Sequence, residues 1–345
     1  MINIYYATIE KLIAETTVSM YSVLSHTKSF VNFYILETGV NDFDKNLVLK
    51  SLEKFKGQFK VEFINIPQEH LEKTFEGCNT WRGYLDAWTR FLFPFKEKTN
   101  IDKLIYLDND TLVVDDINKL YNENLENYAV GGILDIGFPL EEMEENEKFL
   151  QLSKTDYYFN SGVLLINTKK WIEDDITNKL IMTGKKYGKK LKYPDQDALN
   201  IVFSTNKFKL LPLRYDMLDL VDKTKISEVH PNFTKNYIEN EYKNPIIVHF
   251  VNKPSGYSIY KNTLLFGKNF GSDEFWYYAK KTEFYERMLM ECNKSYQLLL
   301  LKTLLQMENK ENATKNATKI TTDVMFMLCV WSVLILAIIK KMLKK

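Results

Sequence analysis

Apolar blocks alternate with helix-patterned stretches from the first residue onward. INIYYAT (2–8) predicts a buried strand. Ile13 to Thr27 has helical spacing, and VNFYILET (31–38) predicts a second strand. A helix over Asp42–Phe55 and a strand at VEFINI (61–66) continue the alternation. A further helix is expected over Gly83–Phe93, before the strand KLIYLDND (103–110). Such alternation marks βα units on a mostly parallel, Rossmann-like sheet flanked by helices. Leu104 to Leu107 form an unbroken apolar run, which places that strand centrally, covered on both faces.

The second half is less regular. AVGGIL (129–134), YYFNSGVLLIN (157–167) and PIIVHF (245–250) predict strands, and PDQDALNIVF (194–203) predicts the start of a helix. Leu140–Leu152 is acidic and reads as a loop or short helix. From 272 to 307 the pattern turns helical, with Tyr285, Met288, Cys292, Tyr296, Leu299 and Met307 on one stripe. That stripe suits packing on the domain or on a second copy of the chain, as in a homodimer; a helix lying on a membrane is the alternative. Residues 308–323 are polar and read as a linker. The expected organisation is therefore a main domain over 1–271, a helical segment, and this linker.

Val324 to Ile339 carries no charge over 16 residues. As a helix it spans about 24 Å, against about 30 Å for a bilayer core. Lysines flank it, and the basic tail 340–345 lets their charges reach water. A single-pass membrane anchor is expected. The N-terminus lacks the basic start, apolar stretch and cleavage site of a secretory signal, so the main domain is expected in the cytosol.

Composition narrows the class. With 45% hydrophobic residues, the chain can build a sizeable core. Its net charge of +1 gives no basic excess for a nucleic-acid partner. Three scattered cysteines, Cys78, Cys292 and Cys329, form no CxxC pair, so neither a zinc site nor a disulfide framework is expected.

The candidate chemistry lies where apolar strands end. Asp108 and Asp110 close the strand of 103–110, and ligands of open α/β sheets collect at such carboxyl ends. On an extended segment, residues two apart project to one side. Two carboxylates there suit a hard cation, Mn²⁺ or Mg²⁺; a turn stabilised by Asp and Asn is the plainer reading. His249 ends IIVH and is a candidate third ligand, and Lys253 is a candidate phosphate contact. Asn160, Ser161 and Gly162 interrupt a buried segment. Asp195, Gln196 and Asp197 open a helix; they suit either capping or hydrogen bonds to sugar hydroxyls.

Six segments, in order, resemble family 8 glycosyltransferases: INIYYAT, AWTRFLFP (87–94), YLDNDTLV, GGILD (131–135), YYFNSGVLLINTKKW and YPDQDALN, followed by HF–KP at 249–254. The resemblance covers residues 2 to about 260. It implies a GT-A fold with a nucleotide half and an acceptor half in one continuous sheet. It implies a UDP-sugar donor, Mn²⁺ (or Mg²⁺), retention of anomeric configuration, and a glycan, glycolipid or protein acceptor. Asp108, Asp110 and His249 would hold the metal, and Lys253 would meet the diphosphate. Asp195 and Gln196 would be the catalytic pair. Ala7, Thr8, Glu10, Arg90, Asn109, Asp135, Asn160 and Ser161 would complete the donor site.

Two stretches depart from the family pattern. Ile9, Glu10 and Lys11 stand where many members place residues that hold uracil and ribose, and Ser255 replaces a tryptophan after Lys253 and Pro254. A sugar-binding or partner-binding relative without turnover is the alternative these departures raise. A phosphatase with a DxDx[TV] motif is a poorer match, because Thr111 follows Asp110 directly.

Overall fold

The strand-forming runs of the first half assemble side by side. The computed structural model describes residues 1–136, 157–205, 207–218, 233–250 and 272–292. The chain divides into two compact units, Met1–Met288 and Leu289–Lys345, and the sheets belong to the first. Strands β1 (Ile2–Ile9), β2 (Val31–Thr38), β3 (Phe59–Asn65) and β4 (Lys103–Leu107) are parallel, in the order 3-2-1-4. β5 (Thr111–Val113) leaves this sheet. β6 (Val130–Leu134), β7 (Phe159–Asn167) and β8 (Lys209–Leu211) extend it to β3-β2-β1-β4-β7-β6-β8. β7 runs antiparallel to both its neighbours.

β5 joins β9 (Met217–Leu218) and β10 (Ile247–His249) in a second sheet of order β5-β10-β9. This corrects two expectations. The sheet is not continuous, and the strand ending in His249 belongs to the smaller sheet, where it pairs antiparallel to β5. Its strands of two or three residues are too short for a periodic pattern to reveal.

The central strands β1, β4, β6 and β7 are buried on both faces, which is why they read as apolar runs. Ile4, Tyr6, Ile105 and Leu107 share one core cluster with Val18, Met20 and Val23 of the helix Ile13–His26. Tyr5, Ala7, Leu104 and Tyr106 point the other way, into an aromatic layer with Trp88, Phe91, Phe93 and Trp171. The period of two along each strand sorts the side chains between the layers.

Three helical expectations change. Gly83–Phe93 is not an α-helix but a 3₁₀ helix, Asp86–Leu92. Gly83 has φ +89°, which no helix start tolerates, and Pro94 forces Phe93 into an extended conformation. The helix expected over Asp42–Phe55 stops at Ser51 and continues only as a 3₁₀ turn, Glu53–Phe55. The segment 272–307 is not one helix: Ser272–Ala279 ends before a turn, and helix resumes at 285. Phe275, Ala279, Phe284 and Met288 are buried in the core of the first unit, so this part of the stripe packs on the domain itself. Tyr296, Leu299 and Met307 lie outside the described residues, as do the acidic stretch 140–152 and Lys253. Among the described residues no helix is long and apolar enough to cross a membrane; 324–339 is not among them.

Gly132 shows how tightly the layers fit. A Cβ there would lie 2.5 Å from Cδ2 of Phe159, a ring with no exposed surface. Gly132→Ala should therefore lower stability by about 1–3 kcal/mol through overpacking. Urea unfolding measures this, and an unchanged midpoint would show that Phe159 yields freely.

Candidate active site

The chain passes from the large sheet to the small one in a single turn, Asp108 to Thr111. The Thr111 amide and hydroxyl both donate to the Asp108 carbonyl, at 3.2 and 2.8 Å. Asp108 N donates to Gly162 O of β7 at 2.8 Å, and Phe250 N donates to Asp110 O at 2.9 Å. Each sheet thus pins one end of the turn. The two carboxylates converge because the chain turns, and not because residues 108–110 are extended as expected; β4 stops at Leu107.

His249 completes the cluster from β10. One ligand atom each from Asp108, Asp110 and His249 lies within 4.8 Å of the others. His249 Nε2 is 3.3 Å from Asp110 Oδ1 and 3.9 Å from Asp108 Oδ2. Nδ1 of the same ring is 2.9 Å from Asp216 Oδ1, which fixes the ring's orientation. Gly162 keeps the space open: a Cβ there would lie 2.3 Å from His249 Cε1 and 2.9 Å from Asp108 Oδ2. Two carboxylates and an imidazole, oriented by a further carboxylate, fit a divalent cation well.

Arg90 ties this cluster to the second half of the site. It comes from the 3₁₀ helix and is only 7% exposed. Its guanidinium lies 3.1 Å from Asp108 Oδ1 and 3.3 Å from Asp195 Oδ2. Nη1 donates to Ser161 O at 2.7 Å, and the cation stands 4.8 Å over the Tyr106 ring. Ser161 then links the segments: its hydroxyl donates to Asp195, and its amide donates to Gln196 Oε1. Gln196 Nε2 and Asn160 Nδ2 both donate to Asp135 Oδ2, at 2.9 and 3.1 Å. Asp195 and Gln196 are bonded to neighbouring strands, and the helix Pro194–Val202 has no side-chain cap. Asp197 instead accepts from the amides of Lys192 and Tyr193 and from the Tyr158 hydroxyl.

On the other side of β4, a cleft of about 570 Å³ opens beyond the carboxyl ends of β1, β2 and β3. Ile9, Glu10, Lys11, Thr38, Asn65 and Gln68 are among its lining residues. Glu10 is exposed there, with Oε1 accepting from Asn41 Nδ2 at 2.8 Å. The side chains of Thr8 and Asn109 are engaged internally. Thr16 bonds to both, and Asn109 Nδ2 donates to Ala7 O at 2.9 Å. They hold the turn against β1, which places the metal-type cluster at the point where strand order reverses between β1 and β4.

The chain is similar to known proteins in sequence and in fold. The profile described as "Glycosyl transferase family 8" matches residues 3–255. The chain belongs to glycosyl transferase family 8. A putative glycosyltransferase of Haemophilus influenzae is 31% identical over 208 residues, covering 58% of this chain and 61% of its own length. A lipopolysaccharide 1,2-glucosyltransferase of Escherichia coli is 25% identical, covering 73% of this chain and 72% of its own. The Haemophilus match therefore leaves more than a third of that relative unmatched. Among solved structures, the galactosyltransferase LgtC, in complex with donor and acceptor sugar analogs, superposes with a TM-score of 0.68 at 22% identity. That match covers 84% of this chain and 100% of LgtC, and it supports the GT-A fold.

The candidate site brings together, from six segments, Arg90, Asp108, Asp110, Asp135, Asn160, Ser161, Asp195, Gln196 and His249. Lys253 lies outside the described residues. Asp216 and Tyr106 were missed by the sequence reading. A carboxylate amid Tyr215, Met217 and Leu218 was the available signal for the first. Tyr106 donates to Asp108 Oδ1.

Charge in this glycosyltransferase is finely opposed. Burial raises Asp108 above the usual carboxylate range, although Arg90 pulls it down. Burial works against the His249 charge, but Asp216 and Asp110 overcome it and hold the ring protonated well above the ordinary imidazole range. A cation binding at Nε2 must displace that proton. Divalent-cation affinity should therefore rise with pH up to the raised value and fall in acid. Asp216→Asn should weaken the affinity about 10–100-fold by releasing the ring. Calorimetric titrations at two pH values, on both proteins, check each statement; pH-independent binding in the parent would contradict the proton competition.

Proposed function

We propose that this family 8 glycosyltransferase moves a hexose from a UDP-sugar to a glycan, glycolipid or protein acceptor, with retention of configuration. The observation that carries the reading is the convergence of Asp108, Asp110 and His249 beside the Arg90–Asp195–Gln196–Asp135 network. Asp108, Asp110 and His249 would hold a divalent cation, Mn²⁺ in preference to Mg²⁺ because of the imidazole. Bound there, the cation would neutralise the diphosphate and ease its departure as a Lewis acid. The cleft around Glu10 and Asn65 suits the nucleoside. Lys253 is assigned to the diphosphate on the strength of the HF–KP segment. Asp195 and Asp135 offer carboxylate oxygens to sugar hydroxyls, and Gln196 an amide, in an arrangement fixed before substrate arrives. The Escherichia coli relative acts on lipopolysaccharide by name, which favours a lipid-linked glycan among the acceptors.

A screen of UDP- and GDP-sugars for Mn²⁺-dependent release of nucleotide tests the donor and the metal together. Asp110→Asn should slow release roughly 10²–10⁴-fold with the fold intact, because a metal supplies several kcal/mol to such a transition state. Near-normal turnover in that variant, or no effect of EDTA on the parent, would overturn the reading. Tight donor binding with no turnover would favour the sugar-binding alternative.

We also propose that residues 324–339 anchor the chain in a membrane as a single span, with the catalytic domain on the cytosolic side. The charge-free run and the lysines that can snorkel beside it support the span. The positive-inside tendency of those lysines favours a cytosolic tail instead, so it is no support for the side assigned to the catalytic domain. The full-length chain should stay with membranes through an alkaline wash; recovery in the soluble fraction would remove the anchor.

A further inference from the structure

We propose that the surface formed by the helix Ile176–Tyr187 and the turn that follows it docks on an anionic lipid bilayer. The observation is a one-sided charge pattern. Between 176 and 194 there is no acidic residue, but there are six lysines: Lys179, Lys185, Lys186, Lys189, Lys190 and Lys192. All six are exposed. Among the described residues, none of Lys179, Lys185, Lys186, Lys189 and Lys190 takes part in an ion pair. In a chain whose net charge is +1, so dense a cluster is local and not a reflection of overall basicity.

The helix is amphipathic in the way an interfacial element must be. Ile176, Leu180 and Gly184 face the core, and Gly184 packs so closely that a Cβ would lie 2.5 Å from Trp88. On the opposite face, Lys179, Met182 and Lys186 recur at intervals of three and four, with Lys185 beside them. Met182 is 69% exposed in the middle of these lysines. A cationic ring around an exposed apolar side chain fits lipid headgroups above acyl chains. Gly188, at φ +50°, then turns the chain so that Lys189 and Lys190 continue the same charge.

The neighbouring elements add to the fit. A cleft of about 670 Å³ is lined by Lys179 and Met182 together with Lys170, Lys207, Ile201 and Phe203. Lys170 already pairs with Asp174 at 3.4 Å, so among the described residues Lys179 and Lys207 are the cations left to meet an anion there. Beyond the turn, Trp81 and Tyr84 are exposed, and Arg82 lies 5.3 Å from the Trp81 ring centroid. Trp81 packs against Tyr193 with ring centroids 5.7 Å apart, so this loop and the lysine turn are joined. Aromatic and basic side chains side by side are what the interfacial zone of a bilayer accommodates. Each lysine near an anionic surface strengthens binding several-fold, and the effect decays within a Debye length. The patch is distinct from the metal-type cluster.

The test places an environment-sensitive fluorophore at Met182→Cys in the full-length chain, with the labelled parent as background. Burial pushes the parent's Cys78 thiol up to about 11, which keeps it slow to react. The protein is diluted from detergent into vesicles of neutral phosphatidylcholine, or of phosphatidylcholine with about one third phosphatidylglycerol. Emission should shift to the blue on the anionic vesicles only, and about 0.5 M salt should reverse the shift. Lys185→Glu with Lys186→Glu, both at exposed positions, should abolish the shift while leaving the melting temperature and Mn²⁺-dependent nucleotide release unchanged. An equal shift on neutral and anionic vesicles, no shift on either, or a shift that survives the double substitution would overturn the proposal. A response to polynucleotide in place of lipid would overturn it as well.

Discussion

Everything at the strand ends depends on one buried guanidinium. Asp108, Asp110, Asp195 and Asp216 crowd into a region where, among the described residues, Arg90 and His249 are the cations in contact with them. Two like charges about 4 Å apart repel by about 4 kcal/mol at the effective dielectric of a protein. Arg90 answers this by bridging Asp108 and Asp195, and it spends another donor on the Ser161 carbonyl. Its place beside the metal-type cluster is itself set by apolar packing. Trp88 and Phe91, on the same 3₁₀ helix, are driven into the aromatic layer and carry Arg90 with them. Residual negative charge is then left to attract a cation.

The turn from Asp108 to Thr111 is the second constraint. It joins two sheets of different strand direction, so neither sheet alone dictates where its carboxylates point. Backbone bonds from Gly162 and Phe250 hold it from both sides, and Asn109 holds it to Ala7 and Thr16. In the hydrophobic pattern these residues look like a simple strand end. Their polar side chains are stable there because every one of these contacts is made within the fold, before any ligand arrives.

Much of this was legible in the sequence. β1, β2 and β4 are long apolar runs and needed only periodicity, and Asp108, Asp110 and His249 each stand where such a run stops. The small sheet was not legible, because β5, β9 and β10 contribute two or three residues each. Asp108 and Asp110 do converge with His249, but through a turn in place of the extended segment expected. Asp216 was hidden for a related reason. It follows a 3₁₀ turn, Leu213–Tyr215, and it acts on the imidazole 33 residues further on, a relation that only the β9–β10 pairing creates.

The tripeptide Asp195-Gln196-Asp197 shows why capping and function were a false choice. Successive helix residues point about 100° apart, so three adjacent polar side chains cannot serve one purpose. Asp195 and Gln196 turn toward β6 and β7 and enter the network of Arg90, Ser161 and Asp135. Asp197 turns back along the chain, closes the amides of Lys192 and Tyr193, and takes the buried Tyr158 hydroxyl. Asn200, one turn later, donates to the Phe159 carbonyl and accepts from its amide. The structural duty therefore falls on Asp197 and Asn200, which lock the helix to β7. That lock is what allows Asp195 and Gln196 to hold fixed positions beside the metal-type cluster without securing the helix themselves.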